Sequence, residues 1–312
     1  MAEGGKYDQK MAAAMEQIFL YEPYKSFKDR FNLYYVRVVS VNNVYGSEQS
    51  DRKLSYEQDG RIYYNTSLCY EYGDRVPNPN NQPHKIAVLF NISSTIARSF
   101  CSMNFITGKA CCFIVGTDEY IINHELGGHG FAFLADEYVE YSGTFSEQAQ
   151  LDDYYNNYGY GANVDYRNTP STIRWSRLLN DTRYANERLG IYEGAYLYPY
   201  GIYRPTDNSA MRIHYLSTGK AFNAPSREQI YKTILKYSEG DDWVYDYETF
   251  VKADAAGREQ AARVFSSSTS SSASAKKQAQ KHQSKNHMPP IIVDGDVKEI
   301  GIDKDGNVTI IR

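Results

Sequence analysis

The sequence is short of several things that would place it in a familiar class. It has only four cysteines, Cys69, Cys101, Cys111 and Cys112, and none form a C-x-x-C pair. That argues against a zinc ribbon and against a dense disulfide scaffold. Adjacent Cys111 and Cys112 sit in an apolar run and are expected to pack there. Basic excess is also missing: 34 Lys and Arg against 38 Asp and Glu give a net charge of −4, which argues against a nucleic-acid surface. No run approaches the roughly twenty apolar residues that span a bilayer. Met1–Lys10 lacks a charged segment leading into an apolar core, so no leader is expected within the chain.

What is present suits a folded protein. Hydrophobic residues make up 42% and charged residues 23% of the 312-residue chain, enough apolar surface for one large domain or two small ones. Tyrosine is abundant, at 30 residues. Many cluster between Tyr138 and Tyr215, where an apolar body and a polar tip let loops order themselves beside water or a peptide.

Periodicity predicts helices over Tyr7–Leu20, Tyr24–Arg30, Ser226–Ser238, capped by Ser226, and Tyr247–Phe265. Alternation predicts a strand from Asn32 to Val41. Tyr45–Gln82 reads mostly as loop, with a short helix near Tyr63–Tyr70. Two continuous apolar runs, Lys85–Asn91 and Ala110–Val115, read as strands buried on both faces. After Gly116, Thr117 or Asp118 can cap a following helix. The second strand is expected at a sheet edge, where an extended substrate could pair with it. In the Tyr-rich region only Ile173–Leu179 looks regular. Residues 266–288, rich in Ser and then in Lys and Gln, read as a disordered linker. The tail from 289 to 312 carries a hairpin turn at Asp305-Gly306-Asn307. The expected division is therefore a catalytic domain over 1–265, the linker, and a short β-like tail.

The chemistry concentrates at Asn123-His124-Glu125-Leu126-Gly127-Gly128-His129-Gly130, followed by Leu134-Ala135-Asp136-Glu137-Tyr138. Zinc proteases place two His ligands one helical turn apart, with a Glu as general base. Here the second His comes five residues after the first. At about 100° per residue, an i,i+5 pair on a regular helix diverges by about 140°. A π-bulge absorbs the extra residue, and Gly127-Gly128 stands where one is needed. His124 and His129 are thus candidate zinc ligands and Glu125 the candidate base for a water whose pKa the metal lowers. If the helix runs on, Asp136 falls about 20° from the face of His129 and Glu137 about 80° away. Asp136 is the preferred third ligand, with Glu137, His84 or His214 as alternatives. His282 and His287 fall in the linker and are not expected to be ligands.

This pattern resembles the bacterial immunoglobulin A peptidase family of zinc metallopeptidases, whose H-E-x-G-H motif precedes a segment ending L-A-D-E-Y. The extra residue is similar to the H-E-x-x-x-H variant of dipeptidyl peptidase III. Tyr24–Asn32, Tyr192–Ala195, Gly201–Pro205, Asn208–Arg212 and Ser226–Ile230 also resemble family segments, so the likeness covers roughly residues 17 to 240. It implies an α/β (α+β), zincin-like metallopeptidase domain: a mixed sheet over an active-site helix with a loop-rich C-terminal subdomain. It further implies a zinc cofactor, a protein or peptide substrate, and a secreted, periplasmic or cell-surface location. Ser209-Ala210-Met211 is similar to the methionine turn beneath the metal in related zincins. Tyr203 and Arg204 are candidate donors to a developing oxyanion, and Glu193 a candidate partner behind the ligands. The expected activity is peptide hydrolysis. The rival expectations are an inactive binding module with a Tyr-rich surface and a zinc hydrolase acting on a non-peptide amide.

Overall fold

The architecture comes from a computed structural model that describes residues 4–42, 44–47, 49–90, 97–116, 119–213, 219–266 and 287–312. The fold is mixed α+β. Its central sheet has the order β3-β5-β4-β8, formed by β3 (Lys85–Phe90), β5 (Ala110–Val115), β4 (Phe100–Asn104) and β8 (Ile291–Val293). β3 runs parallel to β5, β4 antiparallel to β5, and β8 parallel to β4. The two apolar runs are strands, as their composition dictates, and every residue of β5 is buried. β5 is interior, however, and not the edge that was expected. The strand that flanks it, Phe-Cys-Ser-Met-Asn, carries too mixed a composition to be read as a buried strand, yet all five of its residues are buried. β3 ends at Phe90; Asn91 lies outside the described residues, as do Thr117 and Asp118.

Period-two alternation splits this sheet between two cores. Cys101, Met103, Ala110, Cys112 and Ile114 face Ile121 and Ile122 on the helical side. Phe100, Cys111, Phe113, Val88 and Phe90 face Tyr64, Cys69, Ile300 and Ile302. The latter come from α2 (Thr66–Gly73) and from a second, antiparallel sheet. Its strands are β1 (Ser55–Gln58), β2 (Arg61–Asn65), β9 (Glu299–Asp303) and β10 (Val308–Ile311). The expected hairpin at Asp305-Gly306-Asn307 is therefore present, and the C-terminal tail completes both sheets.

The first helix, α1 (Lys6–Gln17), continues into a 3-10 turn at Ile18–Leu20. Asn32–Val41 forms no strand: Val39 and Val41 are 71% and 83% exposed, and alternation without a neighbouring strand leaves only extended chain. Tyr24–Arg30 is a series of turns, helical only over Lys28–Arg30. The Tyr-rich region holds more order than its composition suggests, with helices α4 (Gln148–Tyr158) and α5 (Ser176–Leu179) and a hairpin of β6 (Tyr192–Ala195) and β7 (Tyr198–Arg204). No helix among the described residues is long and apolar enough to cross a membrane.

Two of three C-terminal helices, α6 (Ala224–Glu239) and α7 (Tyr247–Ala253), pack into a further core with Trp175, Phe222 and Met211, and α8 (Ala255–Ser266) lies against both. The cap of α6 is Asn223, whose side chain accepts the Ser226 amide, and not Ser226 itself. Beneath it lies Arg227, fully buried, bonded to Asp254 at 2.7 and 2.8 Å and to Glu187 at 2.5 Å. Arg227→Ala strands two buried carboxylates and is expected to cost about 3–5 kcal/mol, measured by denaturant unfolding.

Candidate metal centre

The helix after β5 is regular over Glu119–Ile122 (α3) and becomes a π-helix over Asn123–Phe131. A π-helix closes i→i+5 turns, so residues five apart return to one face. That is the remedy the His124–His129 spacing demands. The widened turn is also locked from outside: the Tyr24 hydroxyl donates to the Gly127 carbonyl at 2.6 Å and the Asn123 amide to the Gln17 carbonyl at 2.8 Å.

The glycines serve packing more than backbone freedom, since none of Gly127, Gly128 and Gly130 has a positive φ. A Cβ on Gly128 would lie 2.2 Å from Met211 Sδ, and one on Gly130 would lie 2.7 Å from Cys112 Sγ. Gly128→Ala therefore forces the buried Met211 side chain out of its place against the helix. The expected cost is about 1–3 kcal/mol of stability together with weakened metal binding, read by thermal unfolding with and without zinc.

Asp136 arrives at the site, but not by helical phase. The helix ends near Ala132, and Leu134 N bonds back to the Gly128 carbonyl at 3.0 Å. Phe133 takes the left-handed conformation (φ 54°), uncommon for a bulky residue, and turns the chain so that Asp136 folds back over the two rings. The three ligand atoms then form a nearly equilateral triangle: His124 Nε2–Asp136 Oδ1 3.1 Å, His129 Nε2–Asp136 Oδ1 3.2 Å, and His124 Nε2–His129 Nε2 3.2 Å.

The partners of the rings fix their tautomers. His124 Nδ1 lies 2.9 Å from the Ala210 carbonyl and His129 Nδ1 2.7 Å from the Leu134 carbonyl. A carbonyl only accepts, so each Nδ1 carries the hydrogen, and in a neutral ring Nε2 presents its lone pair. The buried carboxylate of Asp136 faces both imidazole Nε2 atoms and the Tyr138 hydroxyl. Three electron-rich atoms thus converge in a site closed to water. A proton can bridge one edge of that triangle; a divalent cation satisfies all three. Ligands at about 2.0–2.1 Å around a tetrahedral ion stand about 3.3 Å apart, which matches the observed edges. The donor set, two imidazoles and a carboxylate, suits zinc.

Without an ion, the charge perturbations describe a proton held on the His129–Asp136 edge. Burial alone would raise the pKa of Asp136, but His129 and His124 outweigh it and hold the carboxyl well below its usual range. Burial works against protonation of His129, yet Asp136 lifts its pKa overall. Glu125 is fully buried, with neither oxygen hydrogen-bonded among the described residues. Burial pushes its pKa up to about 8, eased by His129 and reinforced by Asp136; a cation between the rings would draw it back down.

Glu137, the alternative ligand, is committed elsewhere. Its Oε1 accepts from Asn163 and Asn223, each at 2.8 Å, and its Oε2 from Ser209 at 2.7 Å. Its own amide donates to the Met211 carbonyl at 2.8 Å. Glu137 therefore clamps the Met211 turn and the start of α6 beneath the ligands. His84 is placed apart, paired with Asp74 at 2.9 Å, and His214 and His282 lie outside the described residues. Arg204 is turned inward, donating to the carbonyls of Glu193 (2.7 Å) and Gly194 (2.5 Å). Tyr203 pairs through its backbone with Asp165 and packs its ring on the helical core. No described hydrogen bond joins Tyr203, Arg204 or the exposed Glu193 to the three ligands, and Glu193 accepts instead from the Gly201 amide at 3.0 Å.

Two residues at the centre were not anticipated as participants. Tyr138, the last of the L-A-D-E-Y run, is buried, and its hydroxyl lies 3.4 Å from His287 Nδ1. Burial, then the Asp136 charge, pushes its phenol well above the usual range, so it stays protonated and able to donate. His287 itself is fully buried, its ring centroid 4.7 Å from that of His124. The ligand atoms of His124, Asp136 and His287 all lie within 4.8 Å of one another. Burial and the His124 ring pull the pKa of His287 well down, favouring the neutral, metal-binding form. The one sequence signal for it was the apolar Ile291-Ile292-Val293 run just beyond. Compared with known proteins, the chain matches no protein-family model and no curated protein.

Proposed function

We propose that this chain is a zinc-dependent metallopeptidase of zincin-like architecture, related to the bacterial immunoglobulin A peptidase family by its motif. The observation that carries the reading is the triangle of lone-pair atoms, 3.1–3.2 Å on a side, displayed by a π-helix and closed by Asp136. His124, His129 and Asp136 would hold the ion. Zinc bound there would supply Lewis acidity, polarising a carbonyl and lowering the pKa of a water. Glu125, buried beside the rings, would accept a proton from the attacking water and return it to the leaving amine. Tyr138 is better placed than Tyr203 to donate a hydrogen bond to the oxygen on which negative charge develops. The Ala210 and Leu134 carbonyls keep both imidazoles in the ligating tautomer.

A second reading has an observation of its own. His287 stands at a fourth side of the cluster, and a zinc with four protein ligands is a structural site. In that case the chain is a binding module. The test is digestion of a mixed peptide library by the zinc-loaded chain and by its His287→Ala variant. Cleavage by either, abolished by a chelator and restored by zinc, supports the hydrolase. Stoichiometric zinc without cleavage in both supports the closed module.

A further inference from the structure

One seven-residue segment does two things at once at the candidate centre. His287 bridges Ser99 in parallel register, and the Met288 amide donates to the Ser99 carbonyl at 2.7 Å. Beyond the prolines, β8 pairs Ile291 with Ser102, Ile292 with Met103 and Val293 with Asn104. The segment therefore covers the outer edge of β4, with β5 and β3 on the other side. Without it, β4 would be the open edge of the sheet that packs on the π-helix, and such an edge takes up an extended peptide through main-chain hydrogen bonds. At the head of the same segment, His287 brings a ligand atom within 4.8 Å of those of His124 and Asp136, close enough to take the position a hydrolytic zinc would leave for water or substrate.

The hold on this edge is interrupted. Pro289 and Pro290 carry no N–H, so they donate nothing between the His287 bridge and the pairs of β8. The remainder of the tail has an anchor of its own: β9 and β10 belong to the other sheet, and Ile300 and Ile302 are buried in its core. Gly295, in the left-handed region (φ 69°), links the two parts. Residues 287–293 can thus leave β4 with β9 still paired to β2, at the cost of withdrawing Met288 and Ile291 from the core they share with Ile300 and Ile302.

We propose, resting on the hydrolase reading, that the outer edge of β4 from Ser99 to Asn104 is the groove for an extended peptide, and that His287–Val293 is its resident occupant. The occupant closes the metal centre until a competing peptide displaces it. Ligand and strap compete for one edge and one coordination position, so the apparent affinity for any entering ligand falls by the open fraction.

The test uses the full chain loaded with cobalt(II), whose visible spectrum reports coordination, and acetohydroxamate as a small chelating probe. His287→Ala, and His287→Gln as the variant closer in volume, are expected to bind cobalt and to respond to hydroxamate at about tenfold lower concentration or less than the wild type. A synthetic peptide of residues 287–293 added to His287→Ala should suppress that response, and the same peptide with alanine in place of histidine should suppress it less. An equal hydroxamate response in wild type and both variants overturns the proposal, as does loss of cobalt from both variants, which would make His287 a structural ligand. If hydroxamate access is gained while a peptide library stays uncut by the zinc-loaded variants, the strap stands and the hydrolase reading falls.

Discussion

Glu125→Gln is expected to bind zinc as the wild type does and to lose hydrolysis. Glu125 contacts none of the ligand atoms by hydrogen bond among the described residues, and both its oxygens are buried beside the His129 and Asp136 charges. Glutamine fills nearly the same volume and removes a carboxyl whose ionisation burial opposes, so the variant should fold at least as well. What it removes is the proton acceptor. General-base catalysis contributes about 10²–10⁴ in rate, and the loss should fall in that range, in kcat more than in KM. The rates should be compared in a His287→Ala background, where the strap does not mask them. Unchanged hydrolysis in Glu125→Gln would remove this residue from the chemistry.

The second large effect separates two adjacent acids. Asp136→Ala takes away the only anionic member of the triangle, whereas Glu137→Ala takes away a clamp behind it. Partners behind metal ligands contribute about 10–100-fold in metal affinity, so Glu137→Ala should weaken zinc by that much and Asp136→Ala by more. Competition against a chromophoric chelator measures both. Stability of the metal-free protein should reverse the order. Glu137 accepts hydrogen bonds from Asn163, Asn223 and Ser209, and each buried donor left unpaired costs about 1–3 kcal/mol. Asp136 instead faces the two imidazoles and the Tyr138 hydroxyl, and its burial opposes its charge. A Glu137 variant with the greater zinc loss and an intact fold would move the third ligand to Glu137.

The sequence carried the local part of this site and missed the long-range part. An i,i+5 histidine pair admits one helical remedy, and the π-helix over Asn123–Phe131 is that remedy. Continuous apolar runs identified β3 and β5, because a strand covered on both faces has no polar side to show. Asp136 was reached by the wrong route: helical phase pointed at it, yet the turn at Phe133 delivers it. β4, with a Ser and an Asn among its five residues, gives no periodic signal, so the interior position of β5 was hidden. His287 was the costliest omission. Composition placed it in a Lys/Gln-rich linker, and only its pairing with Ser99, far earlier in the chain, brings it to the ligands. β6 and β7 were hidden for a similar reason, being short, Tyr- and Gly-rich, and paired to each other through a bulge.

That His124, His129 and Asp136 converge on a metal ion is tested most directly by zinc-edge X-ray absorption on the chain after equilibration with zinc and removal of excess. The expected result is stoichiometric zinc with nitrogen and oxygen neighbours at about 2.0–2.1 Å, an imidazole signature, and loss of both in His124→Ala and His129→Ala. Absence of stoichiometric zinc, or a sulfur shell at about 2.3 Å pointing to the buried cysteines, would contradict it.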